Sequence, residues 1–211
     1  MNLQEILKVP DEARDLDWEN QFFDALLMSK IKILSPDPQK GPDGWPYLLA
    51  ETALDATEPS PQVVNWLAKK GIGLVINPNK AYPDFVFNYG MVWHCKETGL
   101  FVRPQSEVPA GTVEVKSGTG LHAGPPTPEY LPDYVRAILK EFLRDQGVLA
   151  PKILVMSQDR KHYDLAFSLE SLGNPPEAEH SGVAEAISWF LPGHYSLVLV
   201  SEKGLPPFTL L

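Results

Sequence analysis

Between Ser117 and Pro128 the chain carries three glycines and three prolines. Proline fixes φ and has no N–H to give a ladder, and glycine resists ordering. Neither a helix nor a strand is expected to run through such a stretch, so the flanking sequence reads as two separately patterned segments. The division predicted from it is an acidic leader over 1–19, a first α+β domain over 20–116, a linker over 117–129 and a second α+β domain over 130–211. A chain of 211 residues suits two small domains of this kind, and nine Phe, seven Tyr and five Trp give each a core to bury.

Charge narrows the function classes. The net charge is −9, and no basic run exceeds two residues, as at Lys69-Lys70 and Arg160-Lys161. A phosphate backbone or an anionic bilayer selects a basic face, so neither nucleic acid nor a membrane is an expected partner. The acids concentrate at the start, where residues 1–24 hold seven (Glu5, Asp11, Glu12, Asp15, Asp17, Glu19, Asp24) against Lys8 and Arg14. This reads as a solvated leader, with a docking arm for a basic partner as the alternative. One cysteine, Cys95, permits no internal disulfide, and the first residues lack the basic and apolar regions of a secretion signal. The expected location is the cytoplasm.

The pattern along the chain predicts its elements. Phe22, Phe23, Leu26 and Leu27 form i,i+4 pairs of a helix that leads into an alternating strand, Ile31–Leu34. The segment to Pro46 reads as loop, and Tyr47–Ala50 as strand. A helix follows with Ser60 as cap, Pro61 in its first turn, Val63, Val64, Trp66 and Leu67 inward, Lys69 and Lys70 at the negative end and Gly71 as stop. Gly73–Ile76 is a short buried strand closed by Asn77-Pro78-Asn79, and 84–102 reads as a hairpin turning at Glu97-Thr98-Gly99. Thr112–Lys116 is a further strand candidate. In the second segment Val135, Ile138, Leu139, Phe142 and Leu143 share one helical face, and Gly147 ends it. Ile153–Met156 reads as a central strand, 163–169 as a strand with one wet face, 177–190 as a helix and Ser196–Val200 as a last strand. The order α-β-β-α-β becomes ferredoxin-like if Thr112–Lys116 pairs into it.

Phe22–Leu27 before a strand, the Gly-Leu-Val-Ile-Asn-Pro box at Gly73–Pro78, the 134–146 helix, the strands Ile153–Met156 and Asp164–Leu169, and the Leu191-Pro192-Gly193 stop together resemble the enhanced-serine-sensitivity (SseB-like) family of bacterial proteins. The resemblance covers nearly the whole chain. It implies an N-terminal and a C-terminal domain in series, and it brings no catalytic residues and no cofactor.

His94-Cys95 invites a nucleophile reading, but neighbours in a strand point to opposite faces and could not form a dyad. Asp159, His162 and Asp164 could serve a hard metal or acid–base work, although a turn carries such residues anyway. Gly118–Gly124 looks like a phosphate loop without its Lys-Ser/Thr pair. The box around Gly73, Asn77 and Pro78, with Tyr82 and Tyr89 nearby, is the candidate recognition loop; a tight structural turn is the alternative. Trp45 is either an exposed loop aromatic or a core insertion, and the tail Leu205–Leu211 either packs on its domain or offers a patch.

No catalytic, metal or cofactor set emerges. The expected function is a non-catalytic binding or regulatory protein that contacts an unidentified protein partner, with assembly of identical chains left open. The alternatives are an amino-acid sensor using a ferredoxin-like second domain and, last, an enzyme using Cys95.

Overall fold

The computed structural model describes residues 2–102 and 120–211. It is an α+β protein whose chain divides into two compact units, Met1–Arg103 and Pro104–Leu211.

The first unit begins inside its own core. Helix α1 (Leu3–Ile6) is closed by a capping box in which the Asn2 side chain accepts from the Glu5 N–H and Glu5 reaches back to the Asn2 N–H. A single 3-10 turn then leads to α2 (Leu16–Leu27), capped by Asp15, whose carboxylate accepts from the Trp18 N–H at 2.9 Å. Leu3, Ile6 and Trp18 are buried with Phe22, Phe23 and Leu26, and the Trp18 indole donates to the Ile6 carbonyl at 2.9 Å. The acidic leader predicted for 1–19 is therefore part of the domain. Its acids are exposed or cap helices, apart from the half-buried Glu19, while the apolar residues set among them at helical spacing turn inward.

Strands β1 (Lys30–Ile33), β2 (Gln39–Lys40), β3 (Pro46–Glu51), β4 (Glu58–Pro59), β5 (Gly73–Ile76) and β6 (Phe85–Phe87) form one sheet in the order β4-β1-β3-β5-β6, with β2 also on β3. β1 and β3 are antiparallel, and β3 and β5 are parallel across the connecting helix α3 (Ser60–Lys70). Gly71 ends α3 in the left-handed conformation, φ 73°, as its position predicts. Two details of α3 differ from expectation. Ser60 is fully buried and its hydroxyl donates to the Ser29 carbonyl instead of capping, and Trp66 lies on the solvent side. The buried face is Val63, Val64, Leu67 and Ala68.

The largest correction concerns 84–102. Only Phe85–Phe87 is strand; Tyr89–Thr98 is helix α4, capped by Asn88, whose side chain accepts from the Met91 N–H at 2.9 Å, and ended by Gly99 at φ 77°. Aromatic and β-branched residues give this segment a strand-like composition, but the Asn cap and the Gly stop on either side of ten residues define a helix.

In the second unit β7 (His122–Gly124), β8 (Lys152–Ser157), β9 (Asp164–Ser168), β10 (Ser196–Val200) and β11 (Thr209–Leu210) form a sheet of order β10-β9-β8-β11, with β7 also on β8. Helices α5 (Asp133–Asp145) and α6 (His180–Ser188) connect it. Part of the predicted linker is thus a strand: His122 pairs with Ser157 and Gly124 with Val155. Strand β9 is buried on both faces because Leu121, Leu205 and Phe208 pack against the side that carries Ala166. The C-terminal tail packs home, with Leu211 buried. Thr112–Lys116 lies outside the described residues. β9 and β10 are adjacent parallel strands across α6, which differs from the split βαβ of a ferredoxin-like sheet.

The two units share a plan. Helix, antiparallel strand pair, crossover helix and parallel strand occur in the same order as α2-β1-β3-α3-β5 and α5-β8-β9-α6-β10.

Candidate functional site

In open sheets with parallel strands, ligands gather beyond the carboxyl ends of those strands. In the first unit that place is where β3 runs into Thr52 and β5 into Asn77, within the box singled out in the sequence. The Asn77 N–H continues the ladder to the Ala50 carbonyl at 2.8 Å. Its φ of 55° then turns the chain, a conformation Asn tolerates better than most residues. The Asn77 side chain takes over from the strand: its oxygen accepts from the Thr52 N–H at 2.8 Å, and its amide donates to Thr52 Oγ1 at 2.9 Å and to Asp84 Oδ2 at 2.6 Å.

Asp84 is the hub of this network. Its carboxylate has no solvent exposure and meets Lys80 Nζ at 2.6 Å and Arg14 Nη1 at 2.8 Å. Arg14 also pairs with Asp11 at 2.9 Å, donates to the Val9 carbonyl and lies over the Trp18 ring at 4.4 Å. Burial alone would raise the pKa of Asp84, but hydrogen bonds from Lys80, Asn77 and Arg14 outweigh it and hold the carboxyl below its ordinary value. The network ties the N-terminal segment to the β5–β6 turn and leaves its buried carboxylate no capacity for a ligand.

The remaining box residues are structural as well. A Cβ on Gly73 would stand 2.4 Å from the Tyr47 ring and 2.9 Å from the Phe87 carbonyl, so only glycine lets the strands close. Tyr89 is buried and donates to the Ala68 carbonyl at 2.7 Å. Pro78 is half-buried, and Tyr82, 77% exposed, is the one proposed binding residue that faces solvent freely.

The second unit closes the corresponding strand ends with a network that the sequence reading missed. Beyond β9 and β10, Ser168 Oγ donates to Glu202 at 2.6 Å and accepts from the Ser171 N–H at 3.0 Å. Lys152 Nζ reaches the same carboxylate at 3.1 Å, and Glu170 accepts from the Glu202 N–H at 3.0 Å. The Ser168 and Lys152 contacts hold Glu202 below its ordinary acidity range, as the Ser201 hydroxyl does for Glu170.

Cys95 lies on α4, not on a strand, and it is buried. Burial pushes its thiol up to about 12, which leaves it protonated and unreactive at neutral pH. Asp159 and His162 do meet, at 2.6 Å, but Asp159 also accepts the N–H groups of Lys161 and His162 at 2.8 Å each and so closes a turn. Asp164 stands in β9 opposite Met156. Among the described residues no three His, Cys, Asp or Glu side chains are placed to hold a metal ion. Of the glycine-rich stretch, residues 118 and 119 lie outside the described residues, and His122–Gly124 is strand β7. Trp45 is half-buried, its indole donating to the Gly71 carbonyl at 2.6 Å and so docking the loop on the end of α3.

A groove of about 440 Å³ lies between α1 and α2. Leu3, Ile6 and Ala25 line it, with Asp24 and the exposed Met28 at its margin. No family model, no curated protein and no solved structure matches the chain. Among the described residues no helix is long and apolar enough to cross a membrane.

Proposed function

We propose that this is a non-catalytic binding or regulatory protein of the cytoplasm that acts by contact with another protein. One observation carries the reading. The polar side chains at the strand ends of both units are spent on one another, whereas large apolar side chains stand in solvent: Leu54 is 98% exposed, Met28 89% and Tyr82 77%. The affiliation we propose is SseB-like, supported by the Gly73–Pro78 box and the Leu191-Pro192-Gly193 stop.

Affinity purification of the intact chain beside the variant M28E/L54S/Y82S tests the reading. We expect at least one protein to be recovered with the wild type and lost with the variant at unchanged Tm. Equal recovery with both baits would reject it. A rise in Tm with the concentration of any amino acid would favour the sensor alternative instead.

A further inference from the structure

We infer that β10 is a self-pairing edge: two copies of this chain join their second units by adding β10 to β10, antiparallel, in the register that sets Val198 opposite Val198. The inference stands on backbone groups and is independent of the exposed side chains behind the protein-binding reading.

Strand β10 closes one end of its sheet, with β9 on one side and, among the described residues, no strand on the other. The ladder fixes which groups face out. Val200 pairs with Ser168, and its carbonyl accepts from the Leu169 N–H at 2.9 Å, so the backbone of Val200 points to β9. Alternate residues follow it. Val198 and Ser196 therefore turn to β9 as well, and the N–H and C=O groups of Leu197 and Leu199 lie on the outer edge. The side chains of Leu197 and Val200 are buried in the unit and those of Val198 and Leu199 half-buried, so what the edge offers is backbone held in place.

The first unit shows the same position filled. Its β5 arises from the same plan, parallel to β3 across α3, and its far side carries β6, antiparallel, with Leu74 opposite Phe87 and Ile76 opposite Phe85. After β10 the chain instead crosses to β8 and pairs there as β11. Other edge strands are blunted: β4 is one Glu and one Pro, β11 has two residues, and β6 and β7 have three each. β10 runs for five residues, Ser-Leu-Val-Leu-Val, without a charge, a proline or a glycine. This sequence is complementary to itself about a twofold axis. Centred on Val198, Leu197 of each copy meets Leu199 of the other as a hydrogen-bonded pair that exchanges both bonds, and Val198 meets Val198 as the closer, non-bonded pair. Farther out, Ser201 comes opposite Tyr195, Glu202 opposite His194 and Lys203 opposite Gly193, so no pair from 193 to 203 sets like charges together. Two chains of net charge −9 thus meet at an edge strand that carries no charge of its own.

Sedimentation equilibrium of the intact chain, with hydrogen exchange at each concentration, tests it. We expect a dimer that dissociates on dilution. Exchange at the Leu197 and Leu199 amides should slow as the dimer forms, whereas the Val198 and Val200 amides, bonded to β9, should stay protected throughout. Val198→Lys sets two ammonium groups face to face and should weaken association about tenfold or more, equivalent to ~1.4 kcal/mol. Ser181→Lys, the same charge change on the exposed start of α6, should shift it less than about twofold. Val198→Cys gives a second readout that holds if Val198→Lys lowers Tm. Cα atoms of a non-bonded pair stand about 4.5 Å apart, within the range of about 4.4–6.8 Å that a disulfide spans. Oxidation should therefore cross-link Val198→Cys into dimers, with the native Cys95 buried and out of competition. Ser196→Cys, whose position faces Val200 of the second copy, should stay uncross-linked. A monomer at every concentration would overturn the inference. So would protection of Leu197 and Leu199 that is indifferent to concentration, which means an edge covered within one chain, or equal cross-linking of the two cysteine variants. None of these outcomes bears on the protein-binding reading, which the M28E/L54S/Y82S comparison decides by itself.

Discussion

Both units end their parallel strand pair with a side chain that extends the ladder by one bond, but they do so from opposite strands and at different depth. In the first, Asn77 follows β5 and takes the N–H of Thr52 beyond β3. In the second, Glu170 follows β9 and takes the N–H of Glu202 beyond β10. The first network centres on a carboxylate with no exposure and two cations; the second centres on Glu202, whose side chain is 30% exposed. A buried charge deprived of its partners is far costlier than a surface one. One plan therefore yields a unit whose fold depends on its polar closure and a unit whose closure is nearly optional.

The hardest test of this contrast removes the hubs. Asp84→Ala takes from Arg14 its buried partner, leaving it the exposed Asp11, and deletes the acceptor of Asn77, and we expect a loss of about 3 kcal/mol. Glu202→Ala should lose much less, because its charge is exposed to solvent screening. Urea unfolding followed by hydrogen exchange, read separately at β5 and β9, measures both in the units concerned. Equal losses would break the comparison.

Gly73→Ala should come next. Its Cβ would meet the Tyr47 ring and the backbone of β6 at once, and overpacking of this kind costs about 1–3 kcal/mol. In the second unit a Cβ on Gly124 of β7 meets nothing within 4 Å, so Gly124→Ala is expected to be near neutral.

What was legible in the sequence, and what was not, follows the range of the interactions. Helix α3 with its Pro61 and Gly71, the buried β5 and the amphipathic α5 are written locally and were read correctly apart from single side chains. Helix α4 looks like a strand in sequence because Tyr89, Val92 and Trp93 suggest one by composition, and only its cap Asn88 and stop Gly99 mark it locally as a helix. The leader was judged by its acids, although Leu3, Ile6 and Trp18 already had the spacing of an inward face. Candidate residues fared by the same rule. Gly73 and Asn77 stand out for local backbone reasons, and the structure adds to them the Asn77 side-chain bonds to Thr52 and Asp84. The Asp84 hub draws on Arg14 and the second network joins Ser168 to Glu202 across 34 positions, and no local pattern announces such pairings. The groove depends on how α1 leans on α2, which is equally a tertiary property.

Acid sharpens the contrast in a graded way. Asp84 releases its proton more readily in the folded unit than in the unfolded chain, where carboxylates titrate near pH 4. Its interactions therefore stabilise the first unit fully above about pH 4, and that contribution fades as the pH falls through the lower folded value. Glu170 and Glu202 are shifted in the same direction, so the second unit loses stability with the same sign. Because these two, like Asp159, whose turn contacts lower it further, are exposed to solvent screening, the loss should be smaller. Urea midpoints at pH 5 and pH 3 should drop more for β5 than for β9, and Asp84→Asn should remove most of the excess. A larger acid loss in the second unit would reverse the assignment of the deeper closure.

The smallest effect concerns Cys95, and it asks how far the first unit opens without unfolding. The thiol is buried on α4 and its ionisation is pushed up to about 12, so alkylation must wait for an opening that both exposes and ionises it. If the Asp84 network holds the whole unit, the rate of Cys95 alkylation in native buffer should be negligible and should rise with urea along the same curve as exchange at β5. Asp84→Ala should then raise that rate by the factor by which it lowers stability. Glu202→Ala should leave it unchanged. If Cys95 instead reacts in native buffer at a rate indifferent to Asp84, α4 opens on its own, and the polar closure governs only the sheet and the leader bound to it.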